Sequence, residues 1–211
     1  MYTFESSLRR IGDMPVFPEP VIKDEPMLFS ASVRCARESG GAITQAFLNR
    51  LPGGWDGHDT IIDTRVHMLM PGWYPCIPGW HHDDVPRSRA DGQPNYDTPE
   101  YKAVHIMALV NGGICPTLFA VGDITLPRVP DGEVVYEKWH PLVEAATELR
   151  VMECAAQGIY QFDWQSFHRG QKARASGWRW FGRASRRTHR QQRNEIRRQV
   201  QVYLEYPNKG W

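Results

Sequence analysis

The chain has 211 residues, with 25 Lys and Arg against 24 Asp and Glu and a formal net charge of +1. That length suits a single domain with terminal additions, and a core large enough to fold without disulfides. No apolar run approaches the roughly 18 residues a membrane span needs, which excludes a transmembrane helix, and the first ten residues lack the apolar stretch of a secretory signal.

Residues 1–27 contain Pro15, Pro18, Pro20 and Pro26 without a strong period and read as an extended arm. The end of Ser30–Leu51 reads as helical, with Ala42, Phe47 and Leu51 on one stripe, until Pro52-Gly53-Gly54 breaks it. Thr60–Met70 is a strand by its β-branched content. A turn-rich stretch, Pro71-Gly72-Trp73-Tyr74-Pro75, leads to Trp80-His81-His82-Asp83-Asp84. The polar residues after Asp83, as far as Pro99, read as a long loop, and a loop of that length is commonly functional.

Lys102–Val110 and Thr117–Leu126 read as strands, Glu133–Lys138 as a short strand, and Pro141–Thr147 as a short helix with proline in its first turn. Leu149–Cys154, Ile159–Phe162 and Trp178–Ala184 complete a series of short strands separated by turn signals. Thr188–Val202 reads as a basic helix, and Val202–Tyr206 fits no one element. A series of this kind predicts a mainly β fold, a jelly roll or barrel.

The cysteines, Cys35, Cys76, Cys115 and Cys154, stand singly. No CxxC pair exists, so zinc-ribbon and thioredoxin-type readings have no support. Scattered thiols suggest a reducing, cytoplasmic setting. Charge is unevenly spread. Between Arg169 and Arg198 the only acid is Glu195, and such a basic tract suits either a solvated flank or a polyanionic partner.

A His-x-Asp pair followed by a distant His is the ligand order of the facial triad, in which two imidazoles and one carboxylate hold Fe(II) and leave positions open. Both His81 with Asp83 and His82 with Asp84 fit the pair, because residues two apart on a strand share a face. His168 is the third candidate ligand. It follows Gly158-Ile159-Tyr160-Gln161-Phe162-Asp163 and precedes Arg169-Gly170. His58, His67, His105, His140 and His189 lack such a setting and read as structural or exposed.

On these residues the chain resembles the Fe(II)/2-oxoglutarate-dependent dioxygenases of the double-stranded β-helix, cupin-like type, in the phytanoyl-CoA and taurine dioxygenase branch. Further likenesses are Gly113-Ile114-Cys115-Pro116-Thr117-Leu118-Phe119, similar to the family's Gly-Pro-Thr-x-Phe segment, and the placing of Arg179 and Arg183 eleven and fifteen residues past His168. The likeness spans about residues 60–185, with an N-terminal arm and helix over 1–55 and a basic extension over 186–211.

The resemblance implies a jelly roll with flanking helices. It implies iron held by His81, Asp83 and His168, with Trp80 before His81 favouring that pair over His82 and Asp84. It also implies 2-oxoglutarate as co-substrate, anchored by Arg179, with Arg183 and Thr117 as further contacts. The reaction implied is hydroxylation of a substrate with release of succinate and CO₂. Asp83 is absent from the family's halogenases, so its presence favours hydroxylation.

The polar segment 87–99 is expected to act as a lid over the metal. The substrate class is not encoded in any motif, and a small molecule is favoured over nucleic acid. The competing reading is a nucleic-acid-binding protein with a cupin-like core, or an oxygenase acting on nucleic acid, in which Arg190, Arg193 and Arg197 would contact phosphates.

Overall fold

The period-2 pattern of two long strands organises the molecule. In the computed structural model, which describes residues 1–97 and 102–204, β5 (Ile61–Leu69) and β11 (Gly177–Arg186) pair antiparallel from Ile61↔Ser185 to Leu69↔Gly177. On one face lie Ile62, Val66, Trp180 and Ala184. On the other lie Asp63, Arg65 and His67 opposite Arg183, Phe181 and Arg179 respectively. The first set packs into a hydrophobic cluster, and the second lines a cavity.

Before β5 lie β1 (Tyr2–Ser6), β2 (Arg9–Asp13), β3 (Met27–Phe29) and β4 (Ala31–Ser32). After it come β6 (Val104–Val110), β7 (Thr117–Leu126), β8 (Arg150–Glu153), β9 (Gly158–Asp163), β10 (Phe167–Gly170), then β11 and β12 (Glu195–Arg197). These twelve strands of the described residues form antiparallel sheets. One sheet runs β2-β9-β6-β11-β5-β4. A second is built on β7, which pairs with β1, β8 and β10, and β12 pairs with β3. Met107, Leu109, Tyr160 and Phe162 of the first sheet meet Phe119 of the second in one buried cluster, so the cavity lies between the sheets.

Three short helices, α1 (Glu19–Lys23), α2 (Val33–Ser39) and α3 (Ala42–Leu48), cover the outer face of the six-stranded sheet through Ile22, Ala36, Ile43 and Phe47. A fourth, α4 (Val135–Ala145), packs against the second sheet with Val135, Tyr136, Trp139 and Val143 inward. The mainly β expectation holds, and the strands expected over 60–70, 102–110, 117–126, 149–154, 159–162 and 178–184 each contain an observed strand.

Three expectations are corrected. Residues 1–27 are not an extended arm: β1 and β2 add to both sheets, and α1 follows. Five-residue strands are too short to show a firm period. Glu133–Lys138 is not a strand, nor does a helix start at Pro141. Both segments belong to α4, whose buried residues recur at helical spacing with Pro141 inside it at the loss of one i→i−4 bond. Thr188–Val202 is not a helix. Arg187 and Asn194 adopt positive φ, and β12 pairs with β3. Val202–Tyr206 is described only to Leu204, where Tyr203 and Tyr74 exchange backbone hydrogen bonds of 3.0 and 2.8 Å. The cysteines are all free, and among the described residues no helix is long and apolar enough to cross a membrane.

Trp180 and Gly182 form a tight point on the outer face. A Cβ on Gly182 would stand 2.2 Å from the Trp180 ring, which is fully buried and packs edge-on against Phe47 with centroids 5.8 Å apart. Overpacking of this kind costs about 1–3 kcal/mol. Gly182→Val is therefore expected to lower the unfolding free energy by that order, read as a lower urea midpoint, and an unchanged midpoint would contradict the packing described.

Candidate metal centre

Two strand-like segments from distant parts of the chain meet at one backbone bridge. His81 and His168 donate N–H to each other's carbonyl, both at 3.1 Å, which brings their rings to a centroid distance of 4.5 Å. Asp83, two residues on, places Oδ2 at 3.2 Å from His168 Nε2. One donor atom from each of His81, Asp83 and His168 lies within 4.8 Å of the others. Two donors about 2.1 Å from a shared ion and at right angles lie about 3 Å apart, so the spacing suits a single metal.

The tautomers are set by the backbone. Nδ1 of His81 lies 2.7 Å from the Gly79 carbonyl, and Nδ1 of His168 lies 2.9 Å from the Ser166 carbonyl. A carbonyl can only accept, so each Nδ1 carries a proton and each Nε2 is the ring nitrogen that faces the cluster, as second-layer hydrogen bonds to metal-binding histidines arrange it. Burial, then His168, pushes His81 down to about 4. Burial alone would raise Asp83, but the Arg183 guanidinium bonded to it holds it well below the ordinary carboxylate range. A neutral imidazole at His81 and an ionised carboxylate at Asp83 are the forms a cation requires.

The same geometry separates the two pairs. His82 points the other way, into an aromatic cluster: its ring lies 3.8 Å from that of Phe167, and its Nδ1 lies 2.8 Å from the Tyr96 hydroxyl. Asp84 adopts positive φ and turns its carboxylate toward Arg183 and Arg190, at 3.8 and 3.7 Å. Trp80 fixes the segment from behind, donating from Nε1 to Glu144 of α4 at 2.6 Å, with Arg169 above its ring.

The cluster opens onto the cavity of about 310 Å³ between the sheets. Arg179 and Thr117 both line it, and Arg179 donates to the Thr117 hydroxyl at 3.1 Å. Arg179 is 2% exposed, and among the described residues no carboxylate lies within ion-pair distance of it. Arg183 is engaged differently from Arg179: it bonds Asp83 and lies 3.6 Å from Asp63. The structure thus brings together every candidate residue, His81, Asp83, His168, Arg179, Arg183 and Thr117, on one cavity.

Two further expectations are refined. The segment 87–99 is described only to residue 97. That part does not line this cavity, but Arg87 and Pro94 border a smaller one, of about 160 Å³, that His81 and Asp83 also line. The segment does not stand free over it. It is tied to α4 instead: Gln93 accepts from the first N–H of the helix at 3.1 Å, and buried Tyr96 bonds Tyr136 at 2.9 Å. The cavity wall comes from the C-terminal strap, through Arg197, Val200, Gln201 and Tyr203. The basic tract is divided. Arg190 lies 2.7 Å from the buried Asp63, and the Arg197 and Arg193 guanidiniums lie 4.1 and 5.8 Å from the Phe29 ring centre, whereas the Arg187, Arg193 and Arg198 residues are exposed.

Sequence reasoning missed Asp63, Arg65, His67 and Arg197. For the first three a signal existed: polar residues at alternate positions of a strand whose other positions are apolar. No family model, curated protein or solved structure matches the chain.

Two predictions follow from this geometry. His81→Ala or His168→Ala should lose stoichiometric binding of a divalent metal, whereas His82→Ala should keep it and lose stability instead; metal content after dialysis distinguishes them, and loss of metal in the His82 variant alone would reverse the pairing. The second concerns acid. Burial is the first cause that depresses His67 to about 3 and both His81 and His105 to about 4. Their unfolded counterparts titrate near 6.5, so between pH 6.5 and 4 the unfolded chain takes up protons that the folded one refuses. Stability of the metal-free protein should be full above pH 6.5 and fall by up to about 1.4 kcal/mol per pH unit for each imidazole as pH drops toward 4. Urea unfolding at pH 7, 6 and 5 measures this, and a flat profile would contradict it.

Proposed function

We propose that the protein is a metal-dependent oxygenase of the 2-oxoglutarate type, with Fe(II) held by His81, Asp83 and His168 in a jelly-roll core. The observation that carries the reading is the joint presence, on one cavity, of a two-imidazole, one-carboxylate cluster and a buried Arg179 without a carboxylate partner.

The donor set fits the metal. Two imidazoles and one carboxylate, all from one side, suit non-haem Fe(II) with positions left open. When bound, the ion supplies the site at which O₂ is reduced as the co-substrate is oxidised. The overall change is substrate C–H plus 2-oxoglutarate plus O₂ to alcohol, succinate and CO₂.

The chain's own residues position and exclude. Arg179 offers a planar fork for a bidentate contact with the distal carboxylate of a dicarboxylic acid, and Thr117, already its hydrogen-bond partner, adds a hydroxyl at the same point. Arg183 keeps Asp83 ionised and oriented. Phe162, Phe181 and Met107 keep part of the wall apolar and limit water. A hydrolase using a similar ligand set would not need a buried guanidinium kept free of carboxylates.

The test is anaerobic reconstitution with Fe(II), followed by O₂ and quantitation of succinate formed from 2-oxoglutarate. Metal-dependent succinate formation is expected. Arg179→Met should raise the KM for 2-oxoglutarate by about 30-fold or more, since loss of a buried charge partner costs about 2–5 kcal/mol. Absence of succinate formation from fully metallated protein, across candidate substrates, would end the reading. An unchanged KM in Arg179→Met would end the anchoring role.

A further inference from the structure

The cavity holds more positive charge than a metal and its co-substrate explain. Five guanidiniums, from Arg65, Arg179, Arg183, Arg190 and Arg197, gather at or behind its wall. The carboxylates among them are Asp63, Asp83 and Asp84. Arg183 and Arg190 between them lie within ion-pair distance of all three acids, while Arg197 reaches only Asp63, at 3.8 Å, so its charge is shared between that acid and the cavity. Arg179 and Arg65 remain. Arg179 is accounted for by the co-substrate. Arg65 is not, and among the described residues its guanidinium has no ion pair. A divalent cation would add two positive charges and a dicarboxylate remove two, so the excess persists after both have bound.

The excess is concentrated at one place. Arg65 stands on β5 opposite Phe181, and its neighbour Arg197 arrives from the C-terminal strap. Burial, and after it the charge of Arg65, pushes Arg197 below its ordinary range. Its Nε is buried without a hydrogen-bond partner. His67, two residues along from Arg65 and 1% exposed, also faces the cavity, with the Pro75 backbone beside its ring. Two like charges held together beside an unsatisfied donor are costly unless an acceptor joins them. Phe181, Val200, Ile77 and Tyr203 supply apolar wall and one hydroxyl around the same space.

We propose that Arg65 and Arg197 form a second anion subsite, which binds the acid group of the primary substrate, and that this substrate is a small organic acid with an apolar body. The inference rests on the oxygenase reading only for the name of substrate; the subsite itself stands on the charge and burial of the cavity. The strap is then part of the binding site, because it carries one of the two cations and is pinned at both ends, by β12 on β3 and by Tyr203 on Tyr74.

The test uses metal-free full-length protein, so that it does not depend on oxygenase activity. The probes are 4-phenylbutyrate and its uncharged amide, titrated by calorimetry into Arg179→Met protein, in which the other unpaired cation is gone. The carboxylate should bind at least about ten-fold more tightly than the amide, as expected for a charge-assisted contact with a guanidinium. Adding Arg65→Met should reduce that preference to about two-fold or less, and Arg197→Met should do likewise. Arg65 has no ion pair to lose, so its variant should fold, which circular dichroism checks; it decides the matter if the Arg197 variant is unstable. Equal affinities for the two probes, no measurable binding of either, or a preference that survives Arg65→Met would each overturn the proposal. Succinate formation without probe discrimination would leave the oxygenase reading intact and remove the subsite, and the reverse outcome would do the opposite.

Discussion

A guanidinium buried among three carboxylates is the constraint on which the site depends. Arg183 bonds Asp83 and lies within 4 Å of both Asp63 and Asp84. None of these acids could stay ionised alone between two sheets, since taking one charge out of water costs several kcal/mol, and breaking such a pair from one side costs about 3–5 kcal/mol. One arginine cannot neutralise three acids. Arg190 and Arg197 supply the remainder, which explains why a basic segment with few apolar residues folds back onto the body of the protein. Burial raises Asp63, yet Arg183 and Arg190 outweigh it and leave that carboxyl below its ordinary range. The ligand Asp83, the strand β11 and the C-terminal strap are therefore coupled through one electrostatic knot. A change at Asp63, which touches no candidate ligand, would be felt at all three.

The second support is aromatic. Half of the motif His81-His82-Asp83-Asp84 turns away from the cluster that His81 and Asp83 form with His168. His82 packs on Phe167 and Phe4, and its carbonyl accepts from the Tyr136 hydroxyl at 3.2 Å. Trp80 is clasped by Glu144, while Arg169 bridges Trp80 and Glu144 with a 2.7 Å ion pair. Each anchor reaches α4. The helix thus fixes the loop that carries two candidate ligands, and β10, pairing with β7, fixes the third. Alternation does the rest: with His82 held outward, His81 and Asp83 must face inward.

How much of this was legible beforehand depended on the length of each element. Strands of seven to ten residues, β5, β6, β7 and β11, show enough alternation to be read nearly to their ends. The pair His81-x-Asp83 and the offsets of Arg179 and Arg183 from His168 are short-range spacings and were legible, whereas the meeting of the two segments at the His81–His168 bridge is long-range. Elements whose partners lie far away in sequence were not legible. β1 gains its structure from pairing with Gly122–Leu126, more than a hundred residues downstream. Part of the basicity of 188–202 has an internal reason, since the partner acids of Arg190 and Arg197, Asp63 and Asp84, sit elsewhere in the chain, and composition alone cannot separate that from a solvated helix. α4 was divided by Pro141, whose usual meaning is a boundary, although Trp139 and Val143 hold the turn on either side of it. The register of His81 against His82 also needed tertiary context, because Phe167 and Tyr96 select which imidazole turns inward.

The charge distribution bears on the order of events in the proposed reading. A cavity lined by unpaired guanidiniums repels a cation, and a dianion entering it relieves that repulsion. Binding of a divalent metal and of a dicarboxylate at neighbouring positions is then mutually favourable, and linkage requires the gain to be the same whichever arrives first. Arg65 lies outside that exchange, because it stands on β5 opposite Phe181 and not beside the cluster, so its charge is left uncompensated by either ligand.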